Sequence, residues 1–235
     1  MGAAKVALIV GTGGGLDVAV AAALVEKGMS VELFVHGGRK MPDVPVPVQL
    51  TALDITDEGK LAAAVQAFTE RKGRVDCLIN CPDLRINRPL AETTAQEWDD
   101  SVALNLTAVF LACKHVVPLM VKQGAGRVVN VSSDVARMGA LNSAAYAAAK
   151  AGLITFSKSL TREVADFGVR VNVVSLGMMG EDIATFGSEA DISAIPLKRA
   201  GKWEEAAYLV RCITDEKLEY MTGQTVHMNG GLYMP

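Results

Sequence analysis

Short, mainly apolar runs alternate along the chain with longer stretches in which apolar positions return every three or four residues. The short runs are Lys5–Val10, Val31–Val35, Val48–Leu53, Val75–Asn80, Arg127–Ser132, Val169–Val174 and Thr225–Met228, and each reads as a β-strand. Helical periodicity covers Leu16–Lys27, Glu58–Lys72, Gln96–Gln123, Ser143–Phe167 and Lys202–Thr214, with Gly28 stopping the first of these. Strands apolar on both faces, set between helices, predict a mostly parallel sheet buried on both sides. The expected class is therefore α/β, a doubly wound sheet of seven strands. No repeat, low-complexity tract or linker divides the chain, so residues 1–235 read as a single domain.

Composition narrows the function classes. At 235 residues the chain can bury a large core, and half of those residues are apolar. A net charge of -3 argues against a nucleic-acid partner. No window is expected to span a membrane. Met1 leads straight into the first strand without a charged and apolar leader, so the expected location is cytoplasmic. Cys77, Cys81, Cys113 and Cys212 lack metal or redox spacing, and Cys77 and Cys81 read as packing at a strand end. His36, His115 and His227 are too few and too scattered for a metal site, so no metal is expected.

Chemistry enters with Tyr146 and Lys150. At i and i+4 they share one helix face. An ammonium beside a phenol favours phenolate, so the pair is expected to work as acid or base near neutral pH. By itself that spacing also fits a solvated surface pair. Its setting is more specific: Val6 to Gly11 with Gly13 and Gly15, Asp54 to Asp57, Asp76 to Asn80, Asn105, Gly126 to Ser133, Tyr146 to Leu153, Val169 to Asn172, and Thr222 to Gly231. In this order the segments resemble the short-chain dehydrogenase/reductase family over nearly the whole chain, most closely its 3-oxoacyl-reductase branch. The resemblance implies a Rossmann-type fold and a catalytic tetrad of Asn105, Ser133, Tyr146 and Lys150. Tyr146 would be the acid/base, Ser133 would orient the substrate oxygen, Lys150 would lower the tyrosine pKa and bind nicotinamide ribose, and Asn105 would support a relay water. It also implies NAD(P) as cofactor, bound by Gly11, Gly13, Gly15, Leu16, Asp54, Asn80, Lys150 and Gly177, and dimers or tetramers of like-folded chains.

Several positions depart from the family pattern on the cofactor side. A dinucleotide site needs free N–H groups at a glycine turn and helix start. Here the third glycine of the pattern is Asp17, whose carboxylate is expected to cap its own helix and fill the anion site from within. Asn80 is followed by Cys81, Pro82 and Asp83 in place of a backbone able to approach the cofactor, and Glu181 matches a family threonine. A carboxylate within about 4 Å of a phosphate costs roughly 1 kcal/mol in water and up to about 4 kcal/mol at a partly shielded site. After the second strand Pro42, Pro45 and Pro47 exclude a helix, so the helix expected beside the adenosine half is missing. His36, Arg39 and Lys40 there favour NADP over NAD, or form a solvated basic loop.

The substrate is only thinly encoded. Family members acting on acyl carrier protein carry arginines at positions matching Gly124 and Phe167, and neither is basic here. A coenzyme A thioester or a small ketone is therefore expected. Met178, Met179, Ile183 and Phe186 form either an apolar lid or plain core. Two functions remain open: an NAD(P)-dependent oxidoreductase interconverting a ketone and a secondary alcohol, or a cofactor-deficient partner subunit that stabilises an active homologue in a mixed oligomer. A binding role for another small ligand is the remaining alternative.

Overall fold

The structure, a computed structural model, describes residues 4–38, 41–180 and 189–235. Seven parallel strands, β1 (Val6–Gly11), β2 (Ser30–His36), β3 (Gln49–Leu53), β4 (Cys77–Asn80), β5 (Gly126–Ser133), β6 (Val169–Leu176) and β7 (Thr225–Met228), form one sheet in the order β3-β2-β1-β4-β5-β6-β7. The chain steps outward from β1 to β3, then restarts at β4 beside β1. That reversal opens a crevice at the carboxyl ends of β1 and β4, where doubly wound sheets bind ligands. Helices α1 (Gly15–Glu26), α2 (Glu58–Lys72), α3 (Ala95–Val102), α4 (Ala108–Gln123), α5 (Val135–Met138), α6 (Ala144–Val164), α7 (Glu189–Ala194) and α8 (Trp203–Ile213) follow in sequence.

Alternation along each strand sends side chains to two cores. Val6, Leu8 and Val10 join Phe34, Phe68, Leu78 and Val128 beneath α2, α4 and α6. Ala7, Ile9, Val31, Val35 and Ile79 pack with Val20, Leu24 and Val210 beneath α1 and α8. Phe34 meets Phe68 edge-on at 6.3 Å, and each such buried ring contributes roughly 1.5–3 kcal/mol. Local signals end α2 cleanly. The Asp57 carboxylate accepts the Lys60 N–H at 3.0 Å, and Gly73 takes the left-handed conformation at φ 72°.

Three expectations change on this structure. The run expected as one helix from Gln96 is α3 and α4 joined by a π-turn, Ala103–Thr107, that places Asn105. The continuous Ala95–Gln123 segment is also long and apolar enough to cross a membrane, contrary to the sequence expectation. More than half of its most apolar window is buried within the fold, as in the core helix of a packed domain. Short elements at Leu90–Glu92 and in α5 were not anticipated, because three or four residues show no periodicity. Between β2 and β3 the described residues hold no helix, as the three prolines require.

Candidate functional site

The glycine turn after β1 is closed by the chain's own carboxylate. Gly13 takes φ 77°, Gly14 caps α1, and Asp17 stands in the first helical turn with 2% of its surface exposed. Its Oδ2 accepts the Gly13 N–H at 2.7 Å, and the amides of Thr12 and Gly14 and the Cys81 thiol lie near enough to favour its charged form. The carboxylate lies so close to the glycine backbone that a Cβ on Gly11 would sit 2.1 Å from Oδ2. Burial raises the Asp17 pKa to about 6 against the opposing pull of these donors. Cys81, read from sequence as packing alone, is thus a partner of that carboxylate, and burial with the neighbouring Asp17 pushes its own thiol well up.

A second carboxylate holds the catalytic-type pair. The Tyr146 hydroxyl donates to Asp83 Oδ1 at 2.8 Å, Lys150 Nζ lies 3.3 Å from the same oxygen, and Arg85 Nε is 3.1 Å from Oδ2. Lys150 also donates to the Pro82 carbonyl at 2.9 Å and the Val131 carbonyl at 3.2 Å, which accounts for all three ammonium protons. Partial burial works to raise the Asp83 pKa, but Lys150, Arg85 and the Tyr146 hydroxyl outweigh it and the net direction is down. Burial, then the Asp83 charge, drives the Tyr146 pKa well above that of free tyrosine. This corrects the expectation that Lys150 brings the phenol towards neutrality: the nearest charge to the phenol oxygen is negative. Burial lowers the Lys150 pKa, with Asp83 opposing.

Ser133 is buried and lies near enough to the Tyr146 phenol to pull its pKa down, so three of the four predicted catalytic residues meet. Asn105 lies apart from them in contact. Its Oδ1 accepts the Leu84 N–H at 3.0 Å, and its Nδ2 donates to the carbonyls of Leu84 and Ser101 at 2.9 Å each. Its carboxamide thereby pins the extended segment that presents Asp83. Gly14, Gly15, Leu16, Asp17, Asp83, Tyr146 and Lys150 line one cavity of about 180 Å3, closed on one side by Trp203. Gly11 and Gly13 lie behind Asp17 and do not line it. Asn80 does not reach it either: fully buried, it donates to Asn130 Oδ1 at 2.8 Å. Asp54 bonds to Thr56 and lies 3.6 Å from His36, outside this cavity. Gly177 borders a neighbouring cavity of about 320 Å3 with Ser133, Asp134, Met138 and Met178. Met179 is buried as core. Arg39, Lys40, Glu181, Ile183 and Phe186 lie outside the described residues. Sequence reasoning missed Arg85, whose signal is its i+2 spacing from Asp83 on an extended segment, and Trp203, for which the sequence offers none.

Known proteins bear on this arrangement directly. The family profile described as enoyl-(acyl carrier protein) reductase matches residues 11–233. The chain is 34% identical to the 3-oxoacyl-[acyl-carrier-protein] reductase FabG of Salmonella typhimurium and 36% identical to that of Vibrio cholerae, covering 98% of this chain and 98% of each relative. The crystal structure of gox2181 superposes with a TM-score of 0.89 at 25% identity over 97% of this chain and 95% of that one. The chain belongs to the short-chain dehydrogenase/reductase family. As an oxidoreductase family, short-chain dehydrogenase/reductases imply NAD(P), and the residues at this site do not fit that group as folded. The Gly13 amide is taken by Asp17, whose buried carboxylate occupies the turn, the ammonium protons are all engaged, and about 180 Å3 falls below the roughly 300–1,000 Å3 of ordinary small-ligand pockets. Among the described residues no group of three or more His, Cys, Asp or Glu is placed to hold a metal ion.

Proposed function

We propose that this chain is a subunit of a cytoplasmic oxidoreductase that interconverts a ketone and a secondary alcohol on a 3-oxoacyl or 3-hydroxyacyl thioester, with NAD(P)(H) as that enzyme's cofactor. Full-length similarity to 3-oxoacyl reductases supports the substrate class. The observation that carries the reading is the meeting of Tyr146, Ser133 and Lys150 at the carboxyl end of the sheet's central strands. In this reading Tyr146 gives a proton to the substrate oxygen that Ser133 orients, a transfer that requires its hydroxyl to leave Asp83, since burial and that carboxylate together hold the phenol proton tightly. Those relatives are named for acyl carrier protein. Here Gly124 closes α4 at φ 70°, where an arginine would be strained, and Phe167 is exposed, so neither position offers a cation to an acidic carrier. That favours a coenzyme A thioester or a small ketone.

Asp17 and Asp83 favour a second reading of this chain's own share: a non-catalytic subunit whose like-folded neighbour holds the cofactor. The outer face of α4 and α6 supports assembly into dimers or tetramers, with Phe110 43% exposed and edge-on to Phe156 beside an apolar groove. Titrating the purified chain with NADH and NADPH while following its melting temperature separates the two. A ligand at a hundred times its dissociation constant adds about 2.7 kcal/mol, or about 5–11 °C for a chain of this size. That rise, with turnover abolished by Tyr146→Phe, establishes the first reading. No rise, together with copurification of a second, cofactor-binding chain, establishes the other.

A further inference from the structure

The mismatch between this site and a dinucleotide has three separable sources: Asp17 on the glycine turn, Asp83 on the Tyr146–Lys150 pair, and the lack of a helix among the described residues between β2 and β3. We propose that the two carboxylates alone exclude the dinucleotide, each as an internal stand-in for one part of it, and that the surrounding seat is preserved beneath them. The inference rests on the partner-subunit reading. Asp17 receives from the turn what a phosphate oxygen would receive: convergent backbone N–H bonds at the amino end of a twelve-residue helix. Asp83 receives a hydroxyl, an ammonium and a guanidinium on its two oxygens, a donor set that fits the oxygen acceptors of a sugar or carboxylate. Both acids line the same cavity, so clearing them joins two donor-rich ends into one elongated site. Glycines still form the turn, with nothing within 4 Å of the Cβ position on Gly14. Between β2 and β3 the described residues hold no helix that could obstruct a ligand.

The test is isothermal titration of NADH and NADPH into wild type, Asp17→Gly, Asp83→Ala and the double variant, each checked for native melting and circular dichroism. Removing two like charges from beside a ligand built on a dianionic pyrophosphate is expected to raise affinity by at least about a hundredfold in the double variant, with smaller gains in each single one. Asp17→Asn and Asp83→Asn keep the side-chain volume and fold controls in place should the smaller residues unfold; they are expected to give part of that gain. If wild type is silent and the folded double variants are silent too, the carboxylates are not the block and this inference fails, while the partner-subunit reading stands. If wild type already binds at micromolar concentration, the partner-subunit reading and this inference fall together. Binding by Asp17→Gly equal to that of the double variant would assign the exclusion to the turn alone and refute the role of Asp83.

Discussion

Asp17→Asn tests the closed glycine turn without any ligand. In the folded chain Asp17 titrates at about 6, against 3.8 for an unburied carboxyl. A folded pKa raised above the unfolded one means that the native state binds more protons between those values, so stability falls as pH rises from about 4 to 6. Two units at about 1.4 kcal/mol each correspond to about 2–3 kcal/mol, present at pH 4 and lost by pH 7. Asparagine keeps a carbonyl for the Gly13 amide and cannot ionise. Equilibrium urea unfolding of both proteins between pH 4 and 7 should show wild type gaining about 2–3 kcal/mol on the variant as pH falls, with all other titrations cancelling. At pH 7 the variant should equal or exceed wild type, since it is relieved of a buried charge. A difference between the two that stays flat across that range would mean that Asp17 is solvated, and that the turn is open.

Three further outcomes follow from the same contacts. Asp83→Asn should lower the Tyr146 pKa, because it removes the negative charge 2.8 Å from the phenol oxygen; phenolate absorbance read against Tyr146→Phe measures it, and an unchanged titration would contradict the assignment. Asn105→Ala leaves the Leu84 amide and carbonyl without their partner and should cost about 3 kcal/mol in urea unfolding, with faster hydrogen exchange at the Leu84 N–H as its local signature. Gly11→Ala should destabilise wild type by about 2 kcal/mol or more, because the new methyl meets the Asp17 carboxylate, and cost much less in an Asp17→Gly background; additive costs in that double-mutant cycle would place the carboxylate elsewhere.

The sheet was legible because its strands are apolar on both faces, a pattern that leaves only a covered parallel arrangement. Boundaries shifted by a residue or two where glycine or polar residues end a strand, as at β4, which begins at Cys77 and not Val75. The π-turn at Asn105 was invisible, since one extra residue in a helical turn barely disturbs the apolar rhythm. At the site, Asp17 could be read because a glycine turn leaves a side chain only one place to go. The state of Tyr146 could not. It depends on the direction in which Asp83 points, and that is fixed by the Asn105 carboxamide holding Leu84 from another element. Spacing along one helix put Lys150 beside Tyr146 but says nothing of the two carbonyls, from β5 and the β4 exit, that share its protons.

Trp203 gives this architecture its own optical gauge. The chain has two tryptophans, and Trp98 stands 43% exposed on the surface of α3, where its emission is a steady aqueous background. The Trp203 indole walls the cavity, and its nitrogen is buried without a hydrogen-bond partner among the described residues. Water or solute entering that chamber therefore changes the polarity around one ring alone. Whether the chamber is plugged or vacated becomes a question of emission colour, readable in dilute solution without label, turnover or crystal.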